Sequence, residues 1–434
     1  MLLLTHNLRR GKTGVLPRPA MHIASLKIRN FRNFANAQFS FEEGVNTLIG
    51  ENGVGKTNAF HAMRLLLDES LPRNATALRE SDFNRSLPNW RGHWIIISID
   101  FEKLDLSEGC QQLKHQTGHM DATNRGTHTF YFRPKFETRR RLYEAAQRKP
   151  DDAISFASKL TVDDYEAVWT GRAAADFNDQ AAYLQLVGDP RKGIYPDPDK
   201  DNQALLGVSI YPIHREVACT FIKALRDVIL ELQSFRGNPL LSLLRGLESE
   251  IQIADATKIT SAITTLNTNI AALPEIKDLS VGIQTALHQS VGRTFAPEIS
   301  IESTLPDRIE LLLKKLGILV GESDGAGYKG EMSEQSLGNA NLIYLALKFL
   351  EYQRKLSSDR VAHFLLIEEP EAHLHAHVQR TLFNNLHGNQ TQVIVSTHST
   401  QISSISHIRS VNVLAAKKGR SYVYQPAKGL DDQT

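Results

Sequence analysis

An α/β fold, divided in sequence by a helical insertion, is predicted for this 434-residue chain by three observations. A glycine-rich turn, GENGVGKT at 50–57, follows the apolar VNTLI and precedes an amphipathic run. A second apolar run, VAHFLLI at 361–367, ends in paired carboxylates, Glu368 and Glu369. A third, TQVIVST at 391–397, leads into His398. Short apolar runs that end in polar residues read as buried parallel strands, and parallel sheets bind ligands at their carboxyl edge.

Composition narrows the class. Domains commonly hold ~100–200 residues, so more than one structural unit is expected. Fifty Lys and Arg against 48 Asp and Glu leave a net charge of +2, so contact with nucleic acid has to come from local patches. Cys110 and Cys219 offer neither a disulfide framework nor a zinc spacing, which fits a reducing, cytoplasmic setting. The run of three Leu at the start is too short for a signal peptide or a membrane span, so no membrane partner is expected. Residues 1–20 have Gly, Pro and four basic groups without periodicity, the pattern of a flexible tail, with Met21 a second candidate start.

The N-terminal lobe is expected over 21–101. HIASLKI and AQFSF read as strands from their β-branched and aromatic content, and NTLIG as a third that ends at glycine. The helix that follows places Phe60, Met63, Leu66 and Leu67 on one face. Strand, glycine turn and helix make up the context of a phosphate cradle. Gly50, Gly53 and Gly55 let the amides of Glu51, Asn52, Val54 and their neighbours through Asn58 converge on phosphate oxygens, aided by the helix dipole. Lys56 is expected to reach the β and γ phosphates of ATP, and the Thr57 hydroxyl to ligate Mg²⁺. At the end of the later strand, Glu368 is the second candidate Mg²⁺ ligand and Glu369 the residue to orient the attacking water. His398, at the next strand end, is placed to sense the γ phosphate. The C-terminal lobe, 331–434, also contains Ser336 and Gly338 ahead of a helix in which Leu342, Leu345, Ala346 and Phe349 repeat at three or four residues. A helix N-terminus there is a second anion-binding device.

This order of motifs resembles ABC-type ATPases of the SMC, RecF and OLD kind. The resemblance implies an ABC-type (SMC/RecF-like) P-loop ATPase head in which the serine–glycine helix holds ATP of the opposite subunit. LKIRNFRNF at 26–34, the P-loop, ALRDVILELQSFRGNPLLSLLRGL at 224–247, SLGNANLIYLAL, IEEPEAHLH and STHS together most resemble the OLD (overcoming lysogenization defect) family of ATP-dependent nucleases. SLGN is less glycine-rich than a full ABC signature. OLD nucleases also carry a TOPRIM domain with a metal-binding Glu and Asp-x-Asp, whereas the residues after His398 contain no such set. The resemblance therefore implies an OLD-type ATPase without the TOPRIM nuclease domain.

Residues 102–330 are expected to be an insertion, partly helical, serving as a dimerisation arm. Residues 103–130 read as a polar loop or short insertion, while REVACTFIKALRDVILEL, LLSLLRGLESEI and AITTLNTNIAALPEI follow a helical period, the last stopping at Pro274. Arg139, Arg140 and Arg141 lie in the strongest basic stretch, a candidate grip on a phosphodiester backbone set against a plain solvated helix face. DPDKDN lacks the turn Gly and bidentate Glu of a calcium loop and reads as an acidic surface loop. His373, His375 and His377 offer zinc-ligand spacing but, following the catalytic strand, are better explained as contacts across a subunit interface.

The function expected is an ATP-hydrolysing module of an OLD-like, DNA-processing or anti-phage nuclease system. It would act as a homodimer or larger assembly with a TOPRIM- or HNH-type nuclease domain or partner, and with DNA as a candidate ligand. The alternatives are a RecF-like ATP-gated DNA clamp and a regulatory ATPase that restrains a separate toxin or nuclease.

Overall fold

The computed structural model describes residues 21–71, 77–104, 108–118, 124–210, 212–213, 216–224, 228, 231, 238–248, 251–291, 297–306, 308–313, 315–321, 329–331, 334–356, 360–372, 374–375, 377, 379–381, 392–404 and 406–428. The expected N-terminal tail, His373 and part of the 224–247 segment lie outside the described residues. The chain divides into two units, one holding the residues up to Ala224 and from Tyr352 onward, the other Leu225–Glu351.

The first unit contains two six-stranded sheets. β1 (His22–Phe31), β2 (Phe34–Ser40), β4 (Ile95–Glu102), β5 (Arg125–Pro134), β6 (Tyr165–Gly171) and β7 (Val208–Ser209) form an antiparallel sheet in the order β2-β1-β4-β5-β6-β7. β3 (Val45–Ile49), β8 (Val217–Ile222), β11 (Ala362–Glu368), β12 (Gln392–Thr397), β13 (Val411–Lys417) and β14 (Arg420–Tyr424) form the other, in the order β14-β13-β3-β12-β11-β8. Every pair in this second sheet is parallel except β13 with β14. Helix α1 (Lys56–Leu67) buries Phe60, Met63, Leu66 and Leu67, the face read from the sequence, in a core shared with Ile28, Ile97 and Phe364.

The stretch expected to begin an insertion at 102 instead builds the sheets. β5, β6 and β7 extend the antiparallel sheet, and β8 closes the parallel one against β11. Among the described residues of 103–130, Glu108–Thr117 form a helix, α2, and Arg125 onward begins β5, where a loop or short insertion is expected from the sequence. The helical period read through REVACTFIKALRDVILEL gives way to a strand over Val217–Ile222. Val217, Ala218, Cys219, Thr220 and Ile222 are buried on both faces, a setting in which β-branched residues suit a strand better than a helix.

Two buried amides stitch the sheets together. β1 pairs with β2 only from Ser25 onward, so the Ile23 peptide has no partner on that side. Gln392, at the start of β12, supplies one: its Oε1 accepts from Ile23 N–H at 2.8 Å, and its Nε2 donates to the Ile23 and Glu42 carbonyls at 2.8 and 3.0 Å. Asn412 on β13 likewise accepts from Ser40 N–H and donates to Ser40 C=O. Gln392→Leu strands the buried N–H and C=O of Ile23, while the Glu42 carbonyl keeps its bond from Asn46 Nδ2 at 2.7 Å, and is expected to lower unfolding free energy by about 3 kcal/mol in a urea titration.

The second unit has α4 (Ile253–Ala272), α5 (Pro274–Val291), the hairpin β9 (Leu319–Gly321) with β10 (Lys329–Glu331), and most of a helix α6 (Leu337–Leu356). Pro274 ends one helical run as expected and opens α5, where its missing N–H is no loss. α6 buries Ala340, Asn341, Tyr344 and Leu345 but leaves Ala346 exposed and Leu342 38% exposed. Its inward face is thus turned away from the Leu342–Ala346 line because Tyr344 takes the core position.

Among the described residues no helix is long and apolar enough to cross a membrane.

Candidate functional site

Three neighbouring strands of the parallel sheet deliver the site to one edge. β12 lies between β3 and β11, with Thr397 opposite Ile49 and Glu368 opposite Ser396. The turn after Ile49, the carboxylates after Ile367 and the residues after Thr397 therefore share the carboxyl edge, where a parallel sheet binds its ligand.

The turn is held by its own backbone demands. Gly53 and Gly55 adopt left-handed φ values of 80° and 109°. A Cβ at Gly55 would stand 2.0 Å from Asn33 Nδ2, so the position admits only glycine. Asn33 Nδ2 and the Ser421 hydroxyl both donate to the Val54 carbonyl, at 2.8 and 2.6 Å. Asn58 donates to Asn33 Oδ1 at 2.7 Å and accepts from Arg32 at 3.0 Å. Asn58, expected among the phosphate-binding residues, thus braces the turn with its side chain. Glu51, Asn52 and Gly53 are exposed at its tip, and Gly50 is wedged against Leu414 and Val54. Asn33 and Ser421 are supports that sequence reading missed. Ser421 is too distant in sequence to signal its role, though Asn33 lies in the quoted LKIRNFRNF.

Lys56 is 4% exposed and folds into the crook of the turn. Its Nζ donates to the Gly50 and Glu51 carbonyls at 2.6 and 3.1 Å and lies 3.9 Å from Glu369 Oε1. The Thr57 hydroxyl donates to Glu368 Oε1. Two hard oxygen donors at the mouth of an amide-lined turn fit Mg²⁺, which prefers oxygen and keeps much of its water. Bound there, the ion would supply positive charge to the phosphate oxygens.

Glu369 has φ +45°, a left-handed conformation unusual for a residue with a Cβ, and its N–H donates to the Ser396 carbonyl at 2.9 Å. His398 Nδ1 lies 4.0 Å from Glu369 Oε1 and 3.4 Å from Glu371 Oε1. Glu371, in the quoted IEEPEAHLH but given no role there, is a further missed residue; its partners follow 26 or 27 residues later. Ser336 and Gly338 belong to the other unit. Ser336 caps α6 as expected, its Oγ accepting from Asn339 N–H at 3.3 Å.

The arginine stretch is only partly open: Arg139 is enclosed, whereas Arg140 and Arg141 are exposed. It lies on β5 and the helix α3 (Phe136–Arg148), and Arg139 is 8% exposed, bonded to Asp201 at 2.8 Å and packed over Trp94. Arg133 is paired with Glu166 at 3.2 Å, and burial pulls its guanidinium below the ordinary range. Arg140 pairs with Glu144, and Arg141 lies over Phe156. Asp201 of the acidic loop is thus a counter-ion for a buried arginine. Among the described residues no three His, Cys, Asp or Glu side chains form a metal-holding group, and His375 stacks on His377.

Residues 21–166 and 223–403 match the family described as AAA ATPase domain. The DNA replication and repair protein RecF of Listeria welshimeri is 38% identical over 63 residues, 14% of this chain and 16% of that protein. RecF of Halalkalibacterium halodurans is 35% identical over 83 residues, 19% of this chain and 20% of its own length. The chain therefore spans 16% and 20% of these relatives. An Smc head domain with an extended coiled coil, bound to the C-terminal domain of ScpA and derived from Pyrococcus furiosus, aligns over 93% of this chain and 96% of its own at 13% identity, with a TM-score of 0.43. The SMC head domain from Thermotoga maritima covers 93% and 98% at 14% identity and a TM-score of 0.35. A P-loop leaving the parallel sheet, a carboxylate pair on the next strand but one and an antiparallel sheet in the same unit make this an ABC-type P-loop ATPase head. With its family model matched on both sides of the 167–222 segment, the chain belongs to the AAA ATPase domain family.

Proposed function

We propose that the chain hydrolyses ATP at this sheet edge and works as the ATP-driven module of an OLD-like nuclease system. The observation that carries the reading is the convergence of Lys56, Thr57, Glu368, Glu369 and His398 at the ends of three adjacent strands. The turn amides and Lys56 bind the phosphates, Thr57 and Glu368 hold Mg²⁺, Glu369 orients and deprotonates the attacking water, and His398 contacts the γ phosphate. Ser336 and Gly338, at the start of α6, hold ATP of a second copy, with the Leu225–Glu351 unit as the dimerisation arm. The sequence resemblance in IEEPEAHLH and STHS supports control of a TOPRIM- or HNH-type nuclease domain or partner. The short likeness to RecF supports DNA as the ligand class. In this reading Glu368 and Glu369 serve ATP, and DNA cutting belongs to the nuclease.

The test is phosphate release from ATP as a function of protein concentration, with sedimentation in parallel and plasmid present. Turnover per chain is expected to rise across the range in which dimers form, while the plasmid stays intact. Constant turnover per chain from monomer to dimer would remove the shared site, and plasmid cleavage that tracks this polypeptide would remove the division of labour.

A further inference from the structure

Glu371 is a buried carboxylate with no role in the site as read above, and is 6% exposed. Its Oε1 accepts from the Thr397 hydroxyl at 2.6 Å and from His398 N–H at 2.9 Å, and lies 3.4 Å from His398 Nδ1. Thr397 Oγ1 accepts from Ser399 N–H at 2.9 Å, and the Ser399 hydroxyl donates to Gln379 Oε1 at 2.8 Å. Gln379 Nε2 returns to the Leu374 and Glu371 carbonyls at 2.9 and 3.5 Å. The segment after β11, which carries Glu369, and the segment after β12, which carries His398, are thus closed into one hydrogen-bonded ring.

A neutral acceptor could satisfy one hydroxyl and one N–H, so burying a charged group for them alone is costly. Its Oε2, moreover, is buried with no hydrogen-bond partner among the described residues. What the carboxylate adds is a negative charge facing the imidazole. With Nδ1 turned toward Glu371 and Glu369, Nε2 is the ring nitrogen left for a phosphate oxygen.

We propose that Glu371 is a positioning residue for hydrolysis: it fixes the main chain and imidazole of His398 relative to Glu369, so that both loops meet the γ phosphate as one piece. This rests on the roles given to Glu369 and His398 under the proposed function. Loss of the anchor displaces His398 without touching the phosphate turn, so turnover suffers and nucleotide affinity does not.

The experiment compares Glu371→Ala, Glu371→Gln and Glu369→Gln in the full chain. It measures steady-state ATP hydrolysis, binding of a non-hydrolysable ATP analogue, and thermal midpoint. Glu371→Ala is expected to lower kcat about 10- to 100-fold, the scale of a small misplacement, with analogue affinity within about 3-fold of the parent. Glu371→Gln keeps an oxygen for both bonds but loses the charge facing the imidazole, and is expected to hold parental analogue affinity and thermal midpoint while recovering kcat only in part. Parental kcat in Glu371→Ala overturns the proposal. So does joint loss of binding, turnover and thermal midpoint without rescue by glutamine, the signature of a purely structural role. If the alanine variant does not fold, Thr397→Val removes two bonds of the ring, those of its hydroxyl to Glu371 and from Ser399 N–H, and decides in its place: lowered kcat at unchanged affinity supports the proposal, and parental kcat ends it. Glu369→Gln separates the two readings. Parental turnover in that variant defeats the site assignment itself, whereas an inactive Glu369→Gln beside a fully active Glu371→Ala defeats only the positioning role.

Discussion

Lys56→Ala is expected to weaken ATP binding about 100-fold or more and to leave no measurable turnover. A hydrogen bond to a charged group contributes about 1.5–3 kcal/mol, and two such bonds to phosphate oxygens correspond to at least roughly two decades in affinity. Lys56 also matters before nucleotide arrives. Its Nζ holds the Gly50 and Glu51 carbonyls at 2.6 and 3.1 Å, so alanine leaves both ends of the turn's entry without that donor. The turn should still fold, because Asn33 and Ser421 grip Val54 from the other side. Calorimetric titration with ATP and Mg²⁺, beside a thermal melt without nucleotide, separates the effects. Unchanged affinity would show that the phosphates sit elsewhere, and a collapsed melting transition would show that the lysine is first a structural residue.

The legibility of this chain from its sequence follows the range of the interactions involved. The P-loop was readable because its strand, glycines and helix lie within about two dozen residues, and each residue type has a local reason to be there. β11 and β12 were readable because a strand buried on both faces reads as a continuous apolar run that ends where the ligand edge begins. β8 was not: Val217, Phe221, Leu225 and Val228 fall at helical spacing, and a strand buried on both faces has no period of two to contradict them. Only pairing with β11 decides, and β11 begins 140 residues later. Arg139 looked like part of a phosphate grip because composition cannot show that Asp201 and Trp94 enclose it. Glu371 was passed over for the same reason: the neighbouring Glu368 and Glu369 have roles given by the strand end, whereas Glu371 acquires partners only when β12 is laid beside β11.

The backbone of Glu369 yields the sharpest expectation. At φ +45° a residue with a Cβ is held in a conformation that costs roughly 1–2 kcal/mol relative to glycine. Such outliers persist where the surroundings enforce them, and they cluster at functional sites. Here the enforcement is visible: Glu369 N–H is tied to the Ser396 carbonyl at 2.9 Å, which turns the chain sharply as it leaves β11 and sets the carboxylate between Lys56 and His398. Glu369→Gln keeps that shape and removes the base, so ATP binding should stay within about 3-fold while turnover falls about 100- to 10,000-fold, the range attributed to general base catalysis. Glu369→Gly should be equally inactive yet more stable by about 1 kcal/mol, because it relieves the left-handed backbone at the same position. A stabilised, inactive glycine variant beside an inactive glutamine variant of parental stability would show strain retained for chemistry. Glutamine turning over at the parental rate would move the base elsewhere, and a glycine variant no more stable than the parent would mean that the left-handed turn is not a strained one.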